Sequence, residues 1–369
     1  MAENILAAIA RTKIAIEANP EKRWILAYSG GKDSTATLKI FIAALRNVEA
    51  LPVNASLIYC DTGVENPLID EYVKRTLRKM EMEFAKKKIS ISVQLLKAPV
   101  KDRFFVKVAG RGYPTPTNSF RWCTKGLRIN PVSDFIQEGD RENTVVLLGS
   151  RRNESEQRRR SISKFGDDHW QTQKEGRSKV SLYLPILDFT ISDVWDTLFM
   201  IDNVSSISAR EIEGIYRDAS GECPVLRSPT APPCASGRFG CWTCTVVRRD
   251  KSALKLIEAG HSNLAPFLEF RNWLSVIRND HQLRWPVRRN GSELPGPFST
   301  CARQIILHRL LALERLTNTK VLDEGEIESI FALWEQDHEI ERGLGITPAD
   351  EDQTRSILDR NQSEEARVI

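Results

Sequence analysis

The stretch Tyr28-Ser-Gly-Gly-Lys-Asp-Ser-Thr35 follows the apolar run Trp24-Ile-Leu-Ala27. A glycine turn therefore joins the end of a strand to the start of a helix. That is the make-up of a phosphate cradle: Gly30 and Gly31 let backbone N–H groups approach an anion, and the new helix offers its positive dipole end. Ser29, Ser34 and Thr35 add hydroxyl donors, and Lys32 a cation. The loop is not of the Walker A type, since no glycine stands five positions before the Gly30-Gly31 pair and an aspartate, Asp33, follows the lysine.

Working outward, strand-like runs at Arg23–Tyr28, Ala55–Cys60, Ile89–Leu96 and Thr144–Gly149 alternate with helical patterns such as Ser34–Leu45 and Pro67–Lys87. Strands separated by helices imply right-handed crossovers, so the expected fold is α/β with a doubly wound parallel sheet. Ligands of such sheets bind beyond the carboxyl ends of the strands. Three polar motifs fall there: the loop at Ser29, Asp61-Thr62-Gly63 with Glu65, and Gly149-Ser-Arg151-Arg-Asn-Glu154-Ser155. The Gly-, Pro- and Thr-rich segment 110–131 reads as a mobile active-site loop, and 152–180 as a polar insertion. A helix is expected from Ser192, with Ser192 as its N-cap. Helical apolar spacing returns at Ala302–Leu316 and Glu326–His338. The expected organisation is a nucleotide domain over 1–200, a cysteine-rich module over 201–252 and a mostly helical C-terminal region over 253–369.

Composition is that of an ordinary globular chain of 369 residues with a net charge of +4, so any nucleic-acid affinity must come from local basic patches. No apolar stretch approaches bilayer length, and Met1 to Lys13 reads as an amphipathic helix instead of a leader. A cytoplasmic protein without a membrane partner is expected. Seven cysteines without an export signal favour metal or sulfur chemistry over disulfides. Four of them, Cys223, Cys234, Cys241 and Cys244, have ten, six and two residues between them. That spacing suits four thiolates around zinc or around an iron–sulfur cluster.

Arg151 and Arg158 can hold phosphates by forked hydrogen bonds, with Glu154 orienting them or a metal. Asp61 ends a strand at the same edge, as ligand contact or cap. Cys123 lies among Arg121, Trp122 and Lys125, and nearby cations are expected to favour its thiolate, the form that accepts sulfur as a persulfide. His169 has no partner pattern of a metal site. Basic residues interleave with aromatics at Phe120-Arg-Trp122, around Arg238, and from Phe267 through Trp273 to Arg289, a mixture that can grip a backbone and stack bases.

Ser29-Gly-Gly-Lys-Asp-Ser34, Gly149-x-Arg-x-x-Glu-Ser155 and Pro185-Ile-x-Asp-Phe189 with Asp193-Val-Trp195 resemble the phosphoadenosine-phosphosulfate reductase-like branch of the PP-loop ATP pyrophosphatases, whose fold is of the adenine nucleotide alpha hydrolase type. Within that branch, Asp61-Thr-Gly-Val-Glu-Asn-Pro67, Gly110-Arg-Gly-Tyr-Pro114, Phe120-Arg-Trp-Cys-Thr124, Gly221-Glu-Cys-Pro224 and Arg238-Phe-Gly-Cys-Trp-Thr-Cys-Thr-Val-Val247 are similar to the DNA phosphorothioation proteins DndC and SspD. The resemblance runs from about Trp24 to Arg289.

It implies an enzyme that cleaves ATP to AMP and pyrophosphate and activates a DNA phosphate for replacement of a non-bridging oxygen by sulfur. Implied partners are DNA, a cysteine desulfurase as sulfur source and other phosphorothioation proteins, in a restriction or phage-defence setting. Implied cofactors are Mg²⁺ and a [4Fe–4S] cluster on Cys223, Cys234, Cys241 and Cys244. ATP would be held by Ser29, Gly30, Gly31, Lys32, Asp33, Ser34, Asp61, Arg151, Glu154 and Arg158. Asp33, Ser34, Arg151 and Cys123 would take part in catalysis. Rival readings are a sulfonucleotide reductase, a tRNA thiolase and a zinc-stabilised DNA-binding subunit. Against the reductase stands the absence of cysteine after Cys301 in this sequence.

Overall fold

The computed structural model describes residues 3–48, 54–152, 162, 168–175, 178–220 and 239–345. Its elements in chain order are α1 Glu3–Glu17, β1 Arg23–Ala27, α2 Lys32–Leu45, β2 Ala55–Asp61, α3 Pro67–Lys86, β3 Ile91–Lys97, α4 Asn130–Gln137 and β4 Thr144–Leu147. There follow β5 Trp170–Glu175, β6 Ser178–Tyr183, α5 Ile191–Met200, α6 Ala209–Ser220, α7 Lys251–Glu258, α8 Ala265–Ile277, α9 Thr300–Thr317 and α10 Glu324–Gly343. Six strands form one sheet in the order β3-β2-β1-β4-β6-β5. β1 pairs in parallel with β2 and with β4, β4 pairs in parallel with β6, and the edge strand β5 is antiparallel to β6.

The expected α/β sheet is thus present. Its helices cover both faces: alternation along β1 sends Trp24 against Phe41 of α2, ring centroids 5.9 Å apart, while Ile25 joins Ile58, Val146 and Ile136 of α4 on the other side. The described part of 152–180 is not a bare insertion, because 170–175 and 178–183 pair as the antiparallel edge of the sheet. Alternating exposed polar residues gave that hairpin no continuous apolar run to betray it.

Tertiary contacts divide the chain into two compact units, each assembled from separated segments. The first comprises 1–60, 68–96 and 132–238, and the second 61–67, 97–131 and 239–369. In the first, α1, α2 and α5 pack on one another. Lys39 of α2 is almost wholly buried and donates to Leu198 O at 2.9 Å and Ile201 O at 2.5 Å, so an ammonium satisfies the carbonyl end of α5. The N-cap of α5 is Thr190, which forms a capping box with Asp193, and not Ser192 as its neighbours suggested.

Glu83 of α3 ties the first unit in a similar way. Its carboxylate accepts from the backbone N–H of Ser205 and Ser206 at 2.8 and 2.7 Å, from Ser206 Oγ and from Lys87. Burial opposes its charge, yet these donors hold the carboxyl down at about 2. A depressed folded-state value stabilises the fold above the ordinary carboxylate range, and that contribution disappears as acid protonates the group. Glu83→Gln is therefore expected to lose about 2–3 kcal/mol at neutral pH. The gap to the parent should close as pH falls from about 4.5 toward 2 in urea titrations. A gap that stays constant over that range would remove the carboxylate from the account.

The second unit has its own core. Phe104, Phe105, Val106 and Val108 pack with Trp242, Phe270, Trp273, Phe298, Ile306 and Leu310. Segment 110–131 is tied to the second unit at several points. Residues 106–110 and 125–129 are π-helical turns, Gly110 O accepts from Arg303 at 2.6 Å, and Phe298 N–H donates to Gly112 O at 2.7 Å. Its Gly and Pro content reflects close packing, not freedom.

Candidate functional site

In the first unit, β1 ends and the chain turns through Ser29-Gly30-Gly31 into α2. Gly30 has φ +73, and a Cβ there would lie 2.1 Å from Val73 Cγ2. Only glycine fits such a turn. Gly31 is the N-cap and offers no side chain, so the amides of the first turn of α2 are left for other acceptors. Ser34 braces the turn from inside: its Oγ accepts from Ser29 N–H at 3.2 Å, lies 3.1 Å from Ser29 Oγ and donates to Gly31 O at 3.0 Å.

Asp33 is held from two sides. Lys32 Nζ donates to one carboxylate oxygen at 2.7 Å, and Arg151 Nε to the other at 2.6 Å. Burial disfavours the charge on Asp33, but these two cations outweigh it and keep its carboxyl below the usual range. Arg151 is itself buried and also reaches Phe189 O at 3.4 Å. Gly149 makes this possible: a Cβ there would stand 2.9 Å from the backbone of Asp33 and Ser34. The motif Pro185-Ile-x-Asp-Phe189 now has a physical role. Arg152 N–H donates to Leu187 O, and Arg152 Nε donates to Asp188 at 2.7 Å, so this stretch carries the segment that presents Arg151. His169, without a partner by sequence, stands 3.2 Å from Asp188 through Nε2.

Tyr216 of α6 is a residue that sequence reading missed. Its hydroxyl accepts from Lys32 N–H at 3.3 Å, and the Lys32 ammonium lies 4.9 Å from the centre of its ring. Nothing in the local sequence marks it, because its partner is 184 residues away. Glu154 and Arg158 lie outside the described residues, as do Cys223 and Cys234.

In the second unit, Asp61 accepts from Gly63 N–H at 3.0 Å and pairs with Lys97 at 3.4 Å, shaping the turn that carries Thr62 and Glu65. Cys241 bridges to Glu65 through the backbone, and Trp242 N–H donates to Val64 O at 2.9 Å. Arg128 reaches Glu65 at 2.8 Å and the Cys241 sulfur at 3.8 Å, and Thr62 Oγ1 is 3.9 Å from the same sulfur. A guanidinium donor such as Arg128 suits a metal-bound thiolate, while the Thr62 hydroxyl donates to Glu65 at 3.1 Å. As a free thiol, Cys241 is pushed up to about 12, chiefly by burial and then by Glu65. Cys244 N–H donates to Cys241 O at 3.0 Å, closing the C-x-x-C turn.

Arg271 of α8, fully buried, fixes that turn from beneath by donating to Cys244 O at 2.9 Å, to Val247 O and to Arg248 O at 3.2 Å. Arg278 and Thr245 both donate to Pro116 O. Among the described residues, no group of three or more His, Cys, Asp or Glu is arranged to hold a metal ion. Cys241 and Cys244 are the two described members of the four-cysteine set.

Two expectations are corrected here. Cys123 is not a cation-favoured thiolate: burial, and next the nearby Cys244, push its thiol up, while Arg121 turns aside to Asn118. The aromatics between Phe267 and Arg289 do not stack bases, since Phe267, Phe270, Trp273 and Trp285 are buried. Of the arginines, Arg271 is buried, Arg284 donates to Gly296 O and Arg289 to Asp337, while Arg288 is exposed. Phe120, Arg121, Lys125, Arg248 and Arg249 are exposed.

Residues 23–246 match the phosphoadenosine phosphosulfate reductase domain. The chain belongs to the phosphoadenosine phosphosulfate reductase domain family. That match supports a PP-loop domain of the kind that uses adenine nucleotides. Two curated relatives come from Methanocaldococcus jannaschii. The uncharacterized protein MJ0066 is 28% identical over 135 residues, 37% of this chain and 24% of that protein. The uncharacterized protein MJ0973 is 27% identical over 177 residues, 47% of this chain and 35% of that protein. The matched part thus spans about a quarter and a third of those relatives.

Similar solved structures include phosphoadenylyl-sulfate reductase from Candida auris, 12% identical with a TM-score of 0.33, covering 52% of this chain and 78% of that one. FMN adenylyltransferase from Candida glabrata is 14% identical with a TM-score of 0.34, covering 54% and 59%. NAD+ synthetase from Burkholderia pseudomallei is 13% identical with a TM-score of 0.34, covering 86% and 90%. No described helix is long and apolar enough to cross a membrane.

Proposed function

We propose that the chain cleaves ATP between its α and β phosphates and passes AMP to a DNA backbone phosphate, as the activating subunit of a DNA phosphorothioation system. The observation that carries the nucleotide chemistry is the cradle itself, a bare helix N-terminus behind Gly30 with Asp33 pinned between Lys32 and Arg151. The DNA substrate rests on the sequence resemblance of the Asp61, Gly110, Phe120 and Arg238 stretches. Exposed Phe120, Arg121, Lys125, Arg248 and Arg249 supply basic and aromatic surface for it.

In this reading the amides of α2 and the Lys32 ammonium orient the β and γ phosphates, and Arg151 holds Asp33 and the loop in place while charge builds on pyrophosphate. A non-bridging DNA oxygen attacks the α phosphorus, the bond to the β phosphate breaks, and pyrophosphate leaves. A hydrosulfide equivalent, originating from a cysteine desulfurase, then attacks the DNA phosphorus, and AMP departs with the original oxygen. Bound Mg²⁺ would neutralise phosphate charge. A [4Fe–4S] cluster on Cys223, Cys234, Cys241 and Cys244 would supply sulfur or electron chemistry, with Arg128 donating to the Cys241 sulfur. Cys123, half-buried, is the second candidate sulfur carrier.

The test is to incubate anaerobically purified protein with ATP, Mg²⁺, sulfide and DNA, then follow nucleotides by chromatography and digested DNA by mass spectrometry. AMP, pyrophosphate and sulfur-linked dinucleotides are expected, and all should vanish in Asp33→Ala. ADP and orthophosphate as products would sink the assignment. AMP and pyrophosphate formed without sulfur in DNA would keep the ATP chemistry and reject the DNA substrate. Consumption of an adenylated sulfate would instead favour the sulfonucleotide reductase, to which the family match gives independent weight.

A further inference from the structure

The Tyr216 hydroxyl occupies the place that a phosphate oxygen would take. It accepts from Lys32 N–H, at the first residue of a helix whose N-cap has no side chain, and it stands beside the Lys32 ammonium. The bond is long at 3.3 Å and its acceptor is neutral. An anionic acceptor makes a shorter bond, roughly twice as strong, to the same donor. Phosphate binding and the Tyr216 contact therefore compete for one amide and one cation.

The element that would be released is the helix that carries Tyr216. In α6, Ile212 and Ala219 are buried, and among its ties are the Arg75–Glu211 ion pair and the edge of the Tyr216 ring against Trp195 at 5.8 Å. Cys223 follows the end of α6 by three residues in sequence.

We propose that Tyr216 is a positioning residue of the phosphate cradle, a latch that keeps the α2 N-terminus ordered while it is empty and gives way to the nucleotide phosphates, loosening α6. This rests on the phosphate-cradle reading above. One ligand event would then both fill the cradle and alter the helix that runs into the cysteine-bearing segment.

Isothermal calorimetry with α,β-methylene-ATP and with pyrophosphate, each with Mg²⁺, tests it together with hydrogen exchange over 209–220. Tyr216→Phe keeps the ring against Trp195 and Lys32 but removes the competing oxygen. It should bind both probes about 3- to 10-fold more tightly. In the parent protein, amide exchange over 209–220 should rise when α,β-methylene-ATP binds. In Tyr216→Phe it should already be raised without ligand and change little on binding.

Weaker binding by Tyr216→Phe would overturn the proposal, showing that the hydroxyl supports the phosphates. Parent exchange over 209–220 that stays unchanged on binding would also overturn it, and that measurement does not depend on the variant folding. If the parent binds neither probe, the cradle reading falls and the latch with it. Parent binding without an exchange response rejects the latch alone.

Discussion

Gly30→Ala is expected to abolish measurable ATP cleavage. The residue sits at φ +73, and the added Cβ would fall 2.1 Å from Val73 Cγ2 on α3. A left-handed conformation costs a non-glycine residue roughly 1–2 kcal/mol, and forcing a methyl group into packed surroundings adds about 1–3 kcal/mol. The chain can relieve this only by moving the turn, which carries Ser29 and the first amides of α2 away from the phosphates. A displacement of about 1 Å in such a site costs on the order of 100-fold in rate.

Gly31→Ala is the matched control. Gly31 has φ −80 and ψ 164, values that alanine adopts freely, and its nearest neighbour to an added Cβ is Tyr216 Oη at 3.1 Å. The ratio of the two rates separates backbone geometry from the mere loss of a glycine. A second variant, Gly30→Ala with Val73→Ala, removes the clash but not the strained φ, so it should recover stability in part and activity less. Equal activity in Gly30→Ala and Gly31→Ala would show that the turn does not position the phosphates.

Asp337→Ala should be the most damaging substitution for the second unit. Asp337 is 1% exposed and accepts from Arg303 Nη1 at 2.8 Å and from both terminal nitrogens of Arg289 at 2.8 and 2.5 Å. Arg303 is wholly buried and also bonds Gly110 O, Thr300 and Glu341. Removing the carboxylate leaves a buried guanidinium with one counter-charge in place of two, and breaking a buried pair typically costs about 3–5 kcal/mol. Urea unfolding at neutral pH measures it.

The sign of the pH dependence follows from the carboxylate. Burial works against its charge, but Arg289 and Arg303 prevail and hold Asp337 below its ordinary range. Its contribution is therefore complete above that range and is lost as acid protonates it. The difference between parent and Asp337→Ala should shrink on acidification and be constant near neutrality. Two coincident unfolding curves at pH 7 would show that the network does not stabilise this unit.

The local signals were those that a few neighbouring residues can carry. Apolar runs and helical spacing located β1 to β4, α2, α3 and α9 to within two or three residues, because a strand or helix selects its residues over short distances. The glycine pair after Trp24-Ile-Leu-Ala27 similarly revealed the cradle, since a turn with positive φ is a local demand. The hairpin 170–183 escaped because its edge strand is polar and exposed, and the interleaving of the two units escaped because no linker composition marks it.

For the site, the sequence by itself determined the loop, the residue types around it and the cysteine spacing. Only the tertiary structure decided which charges meet. Arg151 reaches Asp33 across 118 residues, Tyr216 reaches Lys32 across 184, and Arg271 clamps the turn of Cys244 from a different helix. It also turned the aromatics of 267–289 and Arg271 inward and packed Cys123, half-buried, where its thiol is pushed up, reversing two readings that local composition had favoured. The physical reason is common to all of these. Backbone preference is fixed by near neighbours, whereas burial, ion pairing and thiol ionisation are set by whatever the fold brings within a few ångströms, and an arginine that grips a phosphate has the same sequence neighbours as one that caps a carbonyl.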